Sequence, residues 1–88
     1  MKYRIAISEN ETREVAGEIV EFPSFGGFEF FSHRCFDVHA YGVSEASTGY
    51  LIAQARTRQM AINAASFRLE SVGFVEFRKA ALKMRKVS

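Results

Sequence analysis

His33, Cys35, Asp37 and His39 stand at every second position of His33-Arg34-Cys35-Phe36-Asp37-Val38-His39, and all four side chains are able to bind a metal. On one strand they share a face. At about 3.3 Å per residue the set nevertheless spans roughly 20 Å, whereas tetrahedral zinc holds its ligands about 2.0 to 2.3 Å from one centre. A single strand therefore supplies two ligands at most, and the chain has no further His or Cys to complete a set. The plainer reading is a row of polar residues on a partly exposed sheet face, with no metal and no cofactor.

Cys35 beside His33 or His39 also has the composition of a nucleophile and its base. That chemistry needs amide donors for a developing oxyanion, and no glycine-rich or strand-to-helix elbow places amides next to Cys35. A cysteine acting as a small hydrophobe is the expectation. Glu9, Glu11, Glu14, Glu18 and Glu21 are spread along a hairpin, a pattern of solvation and edge protection rather than of paired acid-base carboxylates. Gly26-Gly27 lacks a lysine at the phosphate-cradle interval and opens no helix, so it reads as a turn. No catalytic residue is assigned, and the chain reads as a non-enzyme.

The elements that would position these residues belong to one domain, residues 1–88. The composition, 48% apolar and 25% charged, is that of a globular chain. A chain of this length buries only about 60% of its unfolded surface, too little for a deep dry cleft. One cysteine closes no internal disulfide. Residues 1–8 carry Lys2 and Arg4 and no secretory apolar core, and no stretch approaches the roughly 20 apolar residues of a bilayer span. A cytoplasmic protein without membrane contact is expected.

Tyr3, Ile5 and Ile7 alternate with polar or small residues, the period of a half-buried strand. A second strand runs from Arg13 to Phe22 with a change of apolar parity, which predicts a bulge near Gly17 or a strand covered on both faces. Pro23-Ser24-Phe25-Gly26-Gly27 is a reversal. Residues 28–43 form one long strand or two with a bend near Phe31-Ser32, Ser44 to Gly49 is turn-rich, and Tyr50 to Arg56 is a last strand. Thr57 is placed to cap a helix and Gly73 to end it; between them Ile62, Ala65, Leu69 and Val72, with Ala61 alongside, draw one apolar stripe. Phe74, Phe77 and Ala81 repeat the spacing. The fold class is α+β: a small antiparallel sheet of about four or five strands packed against one long C-terminal helix and a second, shorter one.

Charge is uneven. Residues 1–44 carry four Lys/Arg against seven Asp/Glu, a net of −3, and residues 45–88 carry eight against three, a net of +5. Arg78, Lys79, Lys83, Arg85 and Lys86 crowd the C-terminus, and on one surface they would neutralise phosphates. No helix-turn-helix, zinc-finger or aromatic-basic signature accompanies them. Seven of the twelve aromatics, Phe22, Phe25, Phe28, Phe30, Phe31, Phe36 and Tyr41, fall within the twenty residues from Phe22 to Tyr41. One sheet face buries three or four such rings, so Phe25, Phe28 and Phe31 are expected near the surface as anchors of a protein interface. Glu18, Glu21 and Glu29 would orient a partner with a basic surface, and a homodimer is also open.

Ser44-Glu45-Ala46-Ser47-Thr48-Gly49-Tyr50, followed by Thr57 opening a helix with Ala61-Ile62, Ala65 and Leu69, resembles the strand, turn, strand and helix of HicB-type antitoxins over about a third of the chain. The strings Phe25-Gly26-Gly27-Phe28-Glu29-Phe30 and Ala40-Tyr41-Gly42-Val43-Ser44 resemble segments of small phage-borne anti-CRISPR proteins. This second resemblance implies a non-catalytic inhibitor that occludes a nucleic-acid-binding surface, with acidic side chains in place of phosphates. The resulting expectation is a non-enzymatic protein-binding module, which the second resemblance narrows to an inhibitor of phage or mobile-element origin; the alternatives are a small nucleic-acid-binding protein using the C-terminal basic cluster and a HicB-like antitoxin.

Overall fold

Period-two alternation builds the first half of the chain and 3.6-residue periodicity the second. The computed structural model describes residues 2–6, 11–35 and 40–87, and for residue 6 and residues 84–87 it describes the backbone only. Five strands, β1 (Lys2–Ala6), β2 (Thr12–Val20), β3 (Phe30–Arg34), β4 (Tyr41–Glu45) and β5 (Leu51–Ala55), are followed by helices α1 (Arg58–Val72) and α2 (Phe74–Val87). The strands form one antiparallel meander in the order β1-β2-β3-β4-β5, which makes the protein α+β as its sequence predicts. The helices, of 15 and 14 residues, are close to equal in length.

Strand β2 changes partner at Gly17. Its first part pairs with β1, from Ala6↔Thr12 to Lys2↔Ala16, and its second with β3, from Gly17↔His33 to Val20↔Phe30. Tyr3 of β1 nonetheless stacks flat on Phe31 of β3, with centroids 4.0 Å apart and planes 5° from parallel. Strands two apart in a sheet stand roughly 10 Å from one another, so the two rings meet by leaning over the strand between them, β2. A Cβ on Gly17 would lie 2.9 Å from Phe31 Cδ2 and 3.0 Å from both the Ser32 carbonyl oxygen and Tyr3 Cδ2. Gly17 is therefore the place where the rings close over a residue without a side chain, and the strand pairing there carries no bulge. The register shift instead falls between Val43 and Ser44, where β4 meets β5.

Both faces of the sheet consequently carry a core. On the helix side Phe25, Phe30 and Val43 pack with Ala61, Ala65 and Leu69 of α1. On the far side Tyr3, Ile5 and Phe31 form a second cluster, with Val15 and Ala46 against it. The turn after β4 is held by Glu45, which is buried and whose carboxylate accepts from the Ser47 and Thr48 amides at 2.7 and 3.1 Å and from the Ser47 hydroxyl at 2.6 Å.

Helix α1 has the ends its sequence predicts. Thr57 Oγ1 accepts from the Met60 amide at 3.1 Å, and Gly73, at φ +85°, donates its amide to the Leu69 carbonyl. Removing that capping oxygen leaves a first-turn donor unpaired, so Thr57→Ala is expected to lower stability by about 1 kcal/mol. Urea denaturation checks this; an unchanged midpoint would show that the cap is dispensable. No helix among the described residues is long and apolar enough to cross a membrane.

Candidate functional site

The rings expected to form a docking surface are largely interior. Phe31 has 0% of its surface exposed and Phe25 has 4%; Phe28 is half-buried. The cause is α2, whose Phe74 and Phe77 close over the turn after β2. Phe77 meets the rings of Phe25, Phe28 and Phe30 at centroid distances of 5.4, 4.9 and 5.7 Å, and Phe74 meets Phe25 and Phe28 at 5.7 and 6.2 Å. Edge-to-face contacts of this kind are how aromatic cores pack. Tyr3, stacked on Phe31, gives that ring a second interior on the opposite face. Phe25 and Phe31, expected at the surface, are thus buried, and neither ring is open to a partner.

The acidic residues are distributed among separate tasks. Glu18 pairs with Arg58 at 2.5 Å on the surface. Glu29, although exposed, is hydrogen-bonded to Tyr3, whose hydroxyl is pushed above its ordinary pKa first by burial and then by that carboxylate. Glu21 is exposed. In α2 the positions of Arg78, Lys79, Lys83, Arg85 and Lys86 fall within an arc of about 160° at roughly 100° per residue, opposite Phe77 and buried Ala81. The basic positions therefore do converge on one half of the helix. Lys79 lies 3.8 Å from Glu76, and the side chains of Arg85 and Lys86 lie outside the described residues.

Of the possible metal string, Asp37 and His39 also lie outside the described residues. Of the string's described residues, His33 and Arg34 belong to β3, where Arg34 pairs with Tyr41 of β4. Among the described residues no three of His, Cys, Asp and Glu gather in a metal-sized cluster. His33 Nδ1 lies 3.2 Å from the Arg34 carbonyl and Nε2 lies 2.8 Å from Ser44 Oγ. With Nδ1–H donating to the carbonyl, Nε2 accepts from the Ser44 hydroxyl. A serine donating to histidine has the form of an activated nucleophile, yet Ser44 is fully buried. Burial pushes the Cys35 thiol up, away from the thiolate that nucleophilic chemistry requires.

Burial also pushes the His33 imidazole below the ordinary histidine value, with the Arg34 carbonyl acting in the opposite direction. Its unfolded form therefore binds a proton that the folded form resists. The stability His33 contributes is complete above its unfolded pKa of about 6.5 and declines as the pH falls through that value towards the lower folded one. Urea midpoints at pH 5 and pH 7.5 should accordingly differ more for the natural chain than for His33→Gln. Equal differences would contradict the assignment.

What the sequence did not disclose is an apolar groove of about 180 Å³ where β5 meets the two helices. Tyr50, Leu51, Leu69, Val72, Phe77 and Ala81 are among its walls, with Arg68 beside them. Val72 closes the stripe drawn by Ile62, Ala65 and Leu69, and reads as core; in the structure it is 46% exposed. Tyr50 and Leu51 are similarly uncovered. Phe67, which falls off the stripe, is 73% exposed, and that offset was a legible signal of an outward ring. Beside the groove runs β5, which among the described residues pairs in the sheet with β4 alone. Comparison of the chain with protein-family models, with curated proteins and with solved structures finds no significant match.

Proposed function

We propose that the chain is a non-enzymatic protein-binding module that receives an extended segment of its partner along β5. The observation carrying this reading is the juxtaposition of a free strand edge with an uncovered apolar groove. An edge strand offers unpaired amides and carbonyls to an added strand. In such β-addition the main chain supplies affinity and alternate side chains supply specificity. The groove is comparable to the ~150 Å³ cavities that accept a benzene-sized group, so it suits one aromatic or branched aliphatic anchor. Arg68 beside it favours an acidic neighbour in the partner segment. A narrower form of the proposal, an inhibitor of phage or mobile-element origin that occludes a basic surface, is supported by the two short strings of resemblance and by exposed Glu21.

Val72→Glu tests the proposal, because it places a charge in the groove at a position already open to water. Affinity capture from the native host in the presence of nuclease should retain a protein on the natural chain and lose it on Val72→Glu, by about tenfold or more, the scale of a methylene-rich contact replaced by an unpaired charge. Retention by Val72→Glu would contradict the proposed site. A second reading, nucleic-acid binding, is favoured by the basic half of α2. It requires oligonucleotide affinity that falls steeply with salt, and capture that nuclease abolishes would select it.

A further inference from the structure

A second hollow, of about 340 Å³, opens at the other end of the sheet, where α1 begins and leaves β2 and β3 uncovered. Its walls include Glu18 of β2, Ser32 and Arg34 of β3, Tyr41 of β4 and Arg58, the first residue of α1. Register places Glu18 opposite Ser32 and Arg34 opposite Tyr41, so these side chains project to the helix side together. Ser32 is 1% exposed, and its hydroxyl has no hydrogen-bond partner among the described residues. Such buried polar atoms are rare and call for a ligand or a water. Around it stand two guanidinium groups: Arg34, 5.9 Å from the Tyr41 ring centroid, and Arg58, shared with the exposed Glu18 carboxylate. The positive end of the α1 dipole adds to their field.

We propose that this hollow is a binding site for a phosphate group, of the dianionic monoester class. Exposed Glu18, which stands opposite Ser32 in the register, swings away from Arg58 as the anion enters and uncovers the serine; Ser32 Oγ then donates one hydrogen bond to the phosphate, and Arg34 and Arg58 hold its remaining oxygens. Arginine suits the task because its planar fork matches phosphate oxygens two at a time. The site shares no residue with the β5 groove, so its failure leaves the protein-binding proposal untouched, and the converse holds as well.

Heteronuclear shift titration with inorganic phosphate and with methyl phosphate, at ionic strength matched by chloride, provides the test. Saturable shifts are expected at residues 32, 34, 41 and 58. Ser32→Ala, which removes a buried hydroxyl without a partner, should keep the natural melting temperature in chloride yet weaken phosphate binding, as should Arg34→Gln, each by about tenfold or more, the loss of one charge-assisted hydrogen bond. Glu18→Gln should tighten it. Shifts equal in phosphate and chloride, or undiminished in Ser32→Ala and Arg34→Gln, would overturn the site. Dimethyl phosphate binding as tightly as methyl phosphate would overturn the monoester assignment.

Discussion

Phe31→Ala is expected to remove about 3 to 5 kcal/mol of folding stability, the range for deleting a large aromatic from a core. The ring is wholly enclosed, stacked on Tyr3 at 4.0 Å and 5.3 Å from the His33 ring. Among the described residues it is the only fully buried ring of the far-side cluster, whose other buried members are Tyr3 and Ile5. Both of these are held by the pairing of β1 with β2. Domains of this size have a total stability of roughly 4 to 13 kcal/mol, so the variant should be partly unfolded at 25 °C. Circular dichroism across a urea series measures it, and a midpoint close to that of the natural chain would mean that the ring is not core.

Gly17→Ala should cost about 2 to 3 kcal/mol, the upper range for overpacking. The added methyl meets carbon atoms of two stacked rings and the Ser32 carbonyl oxygen at 2.9 to 3.0 Å. Either ring alone could tilt, but the carbonyl belongs to the backbone of β3 and is fixed by the ladder. Relief therefore requires the Tyr3 ring to leave Phe31, which loosens β1 at the edge of the sheet. A consequence separates this from ordinary loss of packing: in Gly17→Ala the amides of β1 should exchange with solvent much faster than those of β4. Uniform acceleration across all strands would point to simple global destabilisation.

The strand-rich half and the helix-rich half were legible because each keeps one hydrophobic period, and the ends of α1 were marked by Thr57 and Gly73. The turn around Pro23 was legible too. The fate of the rings beside it was not. Counting the apolar positions of one sheet face left Phe25, Phe28 and Phe31 over, because two three-dimensional facts were missing. Tyr3 and Phe31 close over Gly17 and build a second core on the far face, and Phe74 and Phe77 of α2 reach back some fifty residues in sequence to cover the turn. Local pattern carries no information about either contact. Val72 failed in the opposite sense: it lies on the α1 stripe, but the wall that would cover it is absent at the β5 edge, so a residue with core periodicity is open to water. Ser32 and Arg34 gave no signal, since only the register of β2, β3 and β4 brings them beside Arg58.

The proposed contact surface therefore lies at β5 and the helix junction, and not at the aromatic turn. The most direct measurement is a parallel one on Val72→Glu and Phe31→Ala, reading the urea midpoint and the retained host protein for each. The structure predicts that Val72→Glu keeps the natural midpoint and releases the partner, while Phe31→Ala loses the midpoint first and the partner only as it unfolds. A Val72→Glu chain that is folded and still holds its partner, beside a folded Phe31→Ala chain that does not, would contradict this placement.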